Sequence, residues 1–248
     1  MVMESEAIAC RECPLQDCEG LRRLEVEQLA AMQEFKRGEV ALEAGEAILQ
    51  PGQTARHLHT VLDGLLIRYR MLEEGRRQIV NFLFPGELVG LQAAFEEPVD
   101  HGVVALLPAK LCRFDRTDFS GLIAAHPDLA LDIVWLAARQ ETELEGHLVA
   151  IGQRTAKERV AYLAVWLLDR AVASGLAEDD DRIALPIRQS QIADMLGLSL
   201  VHTNRTIKAL ERDGLVEWRP GEICVQDVEK AREFALYERN ADLLRPFI

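Results

Sequence analysis

The chain has 248 residues, about half of them apolar and 28% charged, which suits two ordinary hydrophobic cores and excludes a disordered or low-complexity protein. No stretch approaches the roughly 20 apolar residues of a membrane helix, and the acidic start MVMESEAIAC lacks the basic lead of a secretion signal, so we expect a cytoplasmic protein without membrane contact. The formal net charge of −13 argues against general affinity for nucleic acid, but it is uneven: residues 1–153 hold 25 acidic and 14 basic side chains, residues 154–248 hold 16 and 14.

The first element is a cysteine-rich segment, residues 1–19, in which Cys10, Cys13 and Cys18 fall within nine residues. A fourth thiol, Cys112, follows about a hundred residues later. In a reducing compartment such thiols read as metal ligands, redox sensors or core fillers rather than disulfides. A C-x2-C pair delivers two thiolates from one tight loop, and four thiolates suit either an iron-sulfur cluster or structural zinc. Cys224 reads as packing, and His57 with His59 as surface or turn chemistry.

Residues 20–34 carry Leu21, Leu24, Leu29 and Met32 at helical spacing and predict a short helix. The texture between Phe35 and Phe119 is different. Short β-prone stretches, LHTVLDGLLIRYRML, RQIVNFLF, ELVGL, HGVVALLP and KLCRF, are separated by turn signals at Glu74-Gly75, Pro85-Gly86 and Pro98. That pattern predicts an antiparallel β-barrel or jelly roll over residues 20–126. His126-Pro127-Asp128 then opens a helix running to Gln153. Its Ile133, Leu136, Gln140, Leu144, Leu148 and Ile151 keep near-heptad spacing, with His147 as a polar interruption, and predict a dimerisation seam.

Residues 154–248 form the last predicted domain. Thr155 and Glu158 make a capping box at the head of a helix reaching Ser174, and the acidic stretch 177–181 reads as a solvated loop. A helix over 188–195, a turn at Leu196-Gly197-Leu198 and a helix capped by Ser199 and stopped by Gly214 follow in the order of a helix-turn-helix. LVEW and EICVQD, split by Arg219-Pro220-Gly221, predict a two-stranded wing. With Ile207 and Leu210 turned to the core, Val201, His202, Asn204, Arg205 and Lys208 project outward as candidate DNA contacts. Arg205 offers the fork that matches guanine, while Lys208 and His202 suit the backbone. The span 182–219 has 6 basic against 4 acidic residues, a local balance that favours phosphate. No Walker loop, G-x-G-x-x-G or nucleophile with a base in motif spacing is present, so no enzyme is expected.

Three segments, PGELVGL at 85–91, TAKERVAYLAVWL at 155–167 and QIADMLGLSLVHTNRTIKALERDGLV at 191–216, make the chain resemble the Crp/Fnr family of bacterial transcription regulators over nearly its full length. The resemblance implies an α+β fold: a cyclic-nucleotide-binding-like antiparallel β-barrel (double-stranded β-helix or jelly roll), a long dimerisation helix over 127–153, and a C-terminal winged helix-turn-helix. It also implies a homodimer on a palindromic promoter site that engages RNA polymerase. Members that bind cyclic nucleotide carry Gly-Glu and Arg-Ser pairs in the barrel. Here Gly90-Leu91 and His101-Gly102 stand there, which leaves a buried phosphate without its arginine, so cyclic AMP is not the expected ligand.

The oxygen-sensing Fnr branch is the better likeness. It holds a 4Fe-4S cluster on an N-terminal cysteine trio and one barrel cysteine, which falls on Cys10, Cys13, Cys18 and Cys112. The expectation is therefore an oxygen- or redox-responsive DNA-binding regulator. The alternative is a family member without a cluster that answers a small effector in the barrel or thiol oxidation. Several positions depart from the branch. The gap from Pro14 to Asp17 is one residue shorter, Asp17 replaces an apolar neighbour, and Val201 and Asn204 replace the branch's Glu and Ser. Leu144 also stands where the branch has an acidic seam residue, which implies constitutive dimerisation.

Overall fold

A computed structural model describes residues 3–5, 7–95, 98–177, 181–238 and 244–248. Most of the acidic loop expected over 177–181 lies outside the described residues. In chain order the elements are β1 (Met3–Ser5), α1 (Val26–Phe35), β2 (Lys36–Leu42), β3 (Ala47–Leu49), β4 (His57–Asp63), β5 (Leu66–Met71), β6 (Arg77–Leu83), β7 (Leu88–Val89), β8 (Gly102–Ala105) and β9 (Ala109–Asp115). There follow α2 (Phe119–Ala125), α3 (Pro127–Gln153), α4 (Ala156–Ala173), β10 (Arg182–Ile183), α5 (Gln189–Leu196), α6 (Leu200–Arg212), β11 (Val216–Arg219), β12 (Glu222–Val225) and α7 (Val228–Ala235). Among the described residues no single helix is long and apolar enough to cross a membrane.

The N-terminal strands form two antiparallel sheets, one in the order β1-β2-β9-β4-β7 and one in the order β3-β8-β5-β6. Val61, Leu66, Val103 and Leu111 point between them, while Leu58 and Phe114 share the opposite face of their sheet with Cys112, and all six are almost wholly buried. The two sheets form an open roll rather than a closed barrel. Each keeps its own edges, and β7, only two residues long, pairs among the described residues with β4 alone and carries no ladder across to the second sheet.

The first helix is shorter than the apolar spacing predicts. It starts only after Glu25, whose side chain and that of Gln28 cap it reciprocally. Gly20–Leu24 is instead drawn against the end of α4: a Cβ on Gly20 would lie 2.3 Å from the Ala173 carbonyl, and Leu21 and Leu24 are buried. Tertiary contact has overridden helical periodicity there.

The long helix α3 has two apolar faces. Ile133, Leu136 and His147 are buried against their own protomer, and Gln140, Leu144 and Ile151 are half-buried. Of the predicted seam only Leu148 is open to solvent, 70% exposed, alongside Leu131 at 67% and Val134 at 63%. The predicted stripe is thus mainly the face that packs on the sensor sheets. The exposed residues Leu131, Val134, Ala138, Glu141, Glu145 and Leu148 form a second, outward line at spacings of three and four.

At its end α3 passes through Arg154 into the Thr155 capping box, in which Thr155 N–H donates to Glu158 at 2.8 Å. Helix α4 is buried along most of its length. Its Trp166 meets Phe82 and Phe84 of the sensor sheets at ring-centroid distances of 6.5 and 5.9 Å. Three-stranded β10-β12-β11, with α5 to α7, completes the reading head.

Candidate functional site

Two short 3-10 turns, Cys10–Glu12 and Pro14–Asp17, arrange the N-terminal thiols. Leu15, 1% exposed, anchors the loop, and Gln33 Oε1 accepts from Cys10 N–H at 2.8 Å. These contacts bring Cys10 and Cys13 to one cavity with Cys112, which lies on β9 opposite Glu39 of β2 and Thr60 of β4. The cavity is only about 20 Å³, and Leu15, Phe247 and Ile248 also wall it. Cys18 stands apart. Its thiol lies 3.4 Å from the Ser174 carbonyl at the end of α4 and 3.7 Å from the Pro14 carbonyl.

Burial pushes every one of these thiols up, Cys13 to about 11 and Cys112 to about 12, so at neutral pH they are protonated. The Lys36 ammonium opposes that shift at Cys10, Cys13 and Cys112. It is buried and donates to Glu39 at 2.6 Å and to the Ile8 carbonyl at 2.7 Å. Burial would raise Glu39, but Lys110 and Lys36 outweigh it and hold its carboxyl below the ordinary range.

A 4Fe-4S cluster needs four converging thiolates and room for eight inorganic atoms. The described conformation supplies neither. The cavity holds little more than one water, the fourth sulfur points elsewhere, and among the described residues no group of three or more Cys, His, Asp or Glu could hold a metal ion. As it stands, the site does not fit the cluster.

A second pocket, about 160 Å³, lies between the sheets and α3 where Gly90-Leu91 and His101-Gly102 sit. Gly102 is forced by packing, since a Cβ there would lie 2.3 Å from the Tyr69 ring. The pocket has a cation after all. Arg68 of β5 lines it with His101 and Gln140, with Glu87 and Glu143 close enough to act on its charge. Reasoning from the Arg-Ser position alone missed Arg68; its inward register on β5 was the available signal.

The reading head presents α6 outward. Gly197 takes φ +64 at the turn, and Ser199 Oγ accepts from His202 N–H at 3.2 Å. Thr203, Thr206, Ile207 and Leu210 turn inward, whereas Val201, His202, Arg205 and Lys208 are exposed. Asn204 is half-buried, and its amide donates to Gln189 Oε1 at 2.8 Å, which fixes its orientation. A groove of about 560 Å³ beside the wing adds Arg188, Gln189, Trp218 and Arg219. The sequence offered no cue that these four share a surface, because they come from two elements about thirty residues apart.

A buried ionic joint links the halves. Glu87, with no exposed side-chain surface, binds Arg170 of α4, Arg245 at 2.7 Å and Gln140 of α3 at 3.3 Å. At the outer surface Arg77 pairs with Asp194 of α5 at 2.7 Å, and Gln78 donates to the Met195 carbonyl at 2.8 Å.

Residues 39–126 match the cyclic nucleotide-binding domain family, and residues 158–234 match the Crp-like helix-turn-helix domain. The chain is similar to the nitrogen fixation regulation protein FixK of Bradyrhizobium diazoefficiens, 28% identical over 95% of this chain and 97% of that one. It is also similar to the transcriptional activator protein FnrL of Cereibacter sphaeroides, 26% identical over 84% and 83% of the two chains. Among solved structures, FixK2 from Bradyrhizobium japonicum superposes with a TM-score of 0.68 at 25% identity, covering 82% of this chain and 98% of that one. A CRP-family regulator from Thermus thermophilus shares the fold, with a TM-score of 0.67 at 19% identity over 81% and 98% of the chains.

Proposed function

The chain belongs to the Crp/Fnr family of transcription regulators, and from that premise we propose that it reads oxygen or redox state through Cys10, Cys13 and Cys112 and passes the result to α6. It is a DNA-binding regulator and not an enzyme. The observation that carries the sensing half is the meeting of three thiols from two distant parts of the chain at one cavity. A 4Fe-4S centre on Cys10, Cys13, Cys18 and Cys112 is the form this reading takes from the Fnr likeness. It requires the Pro14–Cys18 turn to swing the Cys18 sulfur away from Ser174 and the cavity to open.

The regulator acts in the cytoplasm as a homodimer on a palindromic promoter site and engages RNA polymerase there. Arg205 supplies the guanine contact, Val201 and Asn204 the neighbouring base contacts, and Lys208 and His202 the phosphate contacts. Two-fold symmetry of the site follows from pairing of two protomers along the exposed line of α3.

The test is protein purified without air, assayed for iron, sulfide and operator affinity. Cys112→Ser should lose bound iron and tight operator binding together; retention of both overturns the sensing reading. The Arg68 pocket favours a second reading, an anionic effector in the roll. That reading gains if iron-free protein binds its operator and its melting temperature rises with a small anion.

A further inference from the structure

We infer that the segment Arg245–Ile248 is an internal plug of the thiol cavity and, through Arg245, a bolt of the joint between sensor roll and reading head. The segment lies beyond the helix-turn-helix match, which ends at residue 234, yet packs into the core of the sensor sheets. Phe247 and Ile248 are 3% and 5% exposed and wall the cavity shared by Cys10, Cys13 and Cys112. The Thr60 hydroxyl, on the strand beside Cys112, donates to the Ile248 backbone oxygen.

Backbone pairing holds the segment in register. Arg245 N–H donates to the Gly20 carbonyl at 3.0 Å, and the Arg245 carbonyl accepts from Arg22 N–H at 2.8 Å. Both partners lie directly after Cys18, so the plug clasps the stretch that carries the thiols. The Arg245 guanidinium is buried against Glu87, which also binds Arg170 of α4. Two of its nitrogens, Nε and Nη2, are buried without a hydrogen-bond partner among the described residues, so its side-chain hydrogen bonding runs through Glu87, with the Glu143 charge also acting on it.

A cavity with room for about one water cannot take a bulkier sulfur-bound group while Phe247 and Ile248 remain in place. Anything that needs that volume must drive the plug out, and leaving breaks the contact of Arg245 with Glu87. Occupancy of the thiol cavity and the fit of the two domains are therefore linked in both directions. The inference goes beyond the proposed function, since it holds for the reduced, metal-free protein and needs no cluster.

The experiment uses that reduced, iron-free full chain without DNA, so its outcome is independent of whether a cluster binds. In the Phe247→Ala/Ile248→Ala variant, alkylation of Cys112 by iodoacetamide, followed by peptide mass spectrometry, should accelerate at least tenfold while Cys224 keeps its rate as internal control. Hydrogen exchange needs no plug variant: the Arg245 amide of the unaltered protein should be protected at least tenfold, and Cys112→Phe, which fills the cavity, should erase that protection. An unprotected Arg245 amide in the unaltered protein overturns the inference. So does an unchanged Cys112 rate in a double variant that melts cooperatively.

Discussion

His147 is an imidazole held in a dry joint. Its Nδ1 lies 3.2 Å from the Tyr162 hydroxyl, its Nε2 lies 3.4 Å from Asn81 Oδ1, and its ring packs on Trp166 at 4.8 Å. Burial pushes its pKa down to about 4, with the Arg68 charge adding to the effect; burial likewise takes His59 to about 3. A base whose folded pKa lies below its unfolded value, roughly 6.5, folds neutral, while the unfolded chain takes up the proton first as pH falls. The stability it contributes is complete above roughly pH 6.5 and is lost on descent toward pH 4. At pH 5 the loss is about 2 kcal/mol for His147 alone. The depressed carboxylates Glu39 and Glu87 act in the same direction, but only below roughly pH 4.5, which leaves the upper window to the histidines. His147→Gln should therefore lose about 2 kcal/mol less than the unaltered protein between pH 7.5 and pH 5, read from urea midpoints at each pH. Identical losses in the two proteins would dispose of this assignment. At this scale the sequence was legible where a local rule applied, as with the Thr155 and Ser199 caps. It was silent on which thiol stands apart, because Cys18 is placed by the end of α4, more than 150 residues away.

Helix α3 shows why an element can be legible in a sequence while the face it buries within its own chain is not. Proline at its first turn and the run of apolar residues were enough to place a helix over Pro127–Gln153. Spacing of three and four does not say which of two stripes meets a neighbour, because both satisfy the same periodicity. The stripe through Ile133 and Leu136 is covered by the sensor roll, leaving Leu131, Val134 and Leu148 open as the line on which the proposed pairing would rest. Acidic side chains are also part of that line, since Glu141 and Glu145 are exposed on it, next to half-buried Leu144. A fully buried leucine contributes roughly 1.5–3 kcal/mol, and a two-fold seam counts it twice. Leu148→Glu should therefore weaken the dimer by a factor on the order of a hundred or more while the protomer's melting temperature stays put. Sedimentation equilibrium checks this, and an unchanged dimer constant would move the interface off this face. Leu136→Glu, which buries a charge in the protomer, should instead unfold it.

On the scale of the whole molecule, sensor and reading head share one buried joint rather than a tether. Phe82 and Phe84 of the roll lie in the same apolar cluster as Trp166, Ile192 and Leu210 of the head. Glu87 binds Arg170 and Arg245 at the centre of that joint. Burial would raise the Glu87 carboxyl, yet the Arg245 and Arg170 guanidinium groups outweigh it and keep it ionised. Removing that single negative charge without changing shape takes from Arg245 its hydrogen-bonded carboxylate and leaves Arg170 with Glu143 at 3.9 Å, and stripping one partner from a buried ionic pair costs about 3–5 kcal/mol. Glu87→Gln is the isosteric change that does this. A domain of this size moves by about 2–4 °C per kcal/mol, so the melting temperature should fall by roughly 6 °C or more. Because the joint spans both halves, the fall should appear as one calorimetric transition that shifts as a unit. Operator affinity should change as well, although Glu87 lies in the sensor roll, because Arg170 belongs to the helix that carries the head. Calorimetry and operator titration on the same preparation decide the matter. Two separate transitions, only one of which responds to Glu87→Gln, would mean that roll and head fold independently and that signals cross by some route other than this carboxylate.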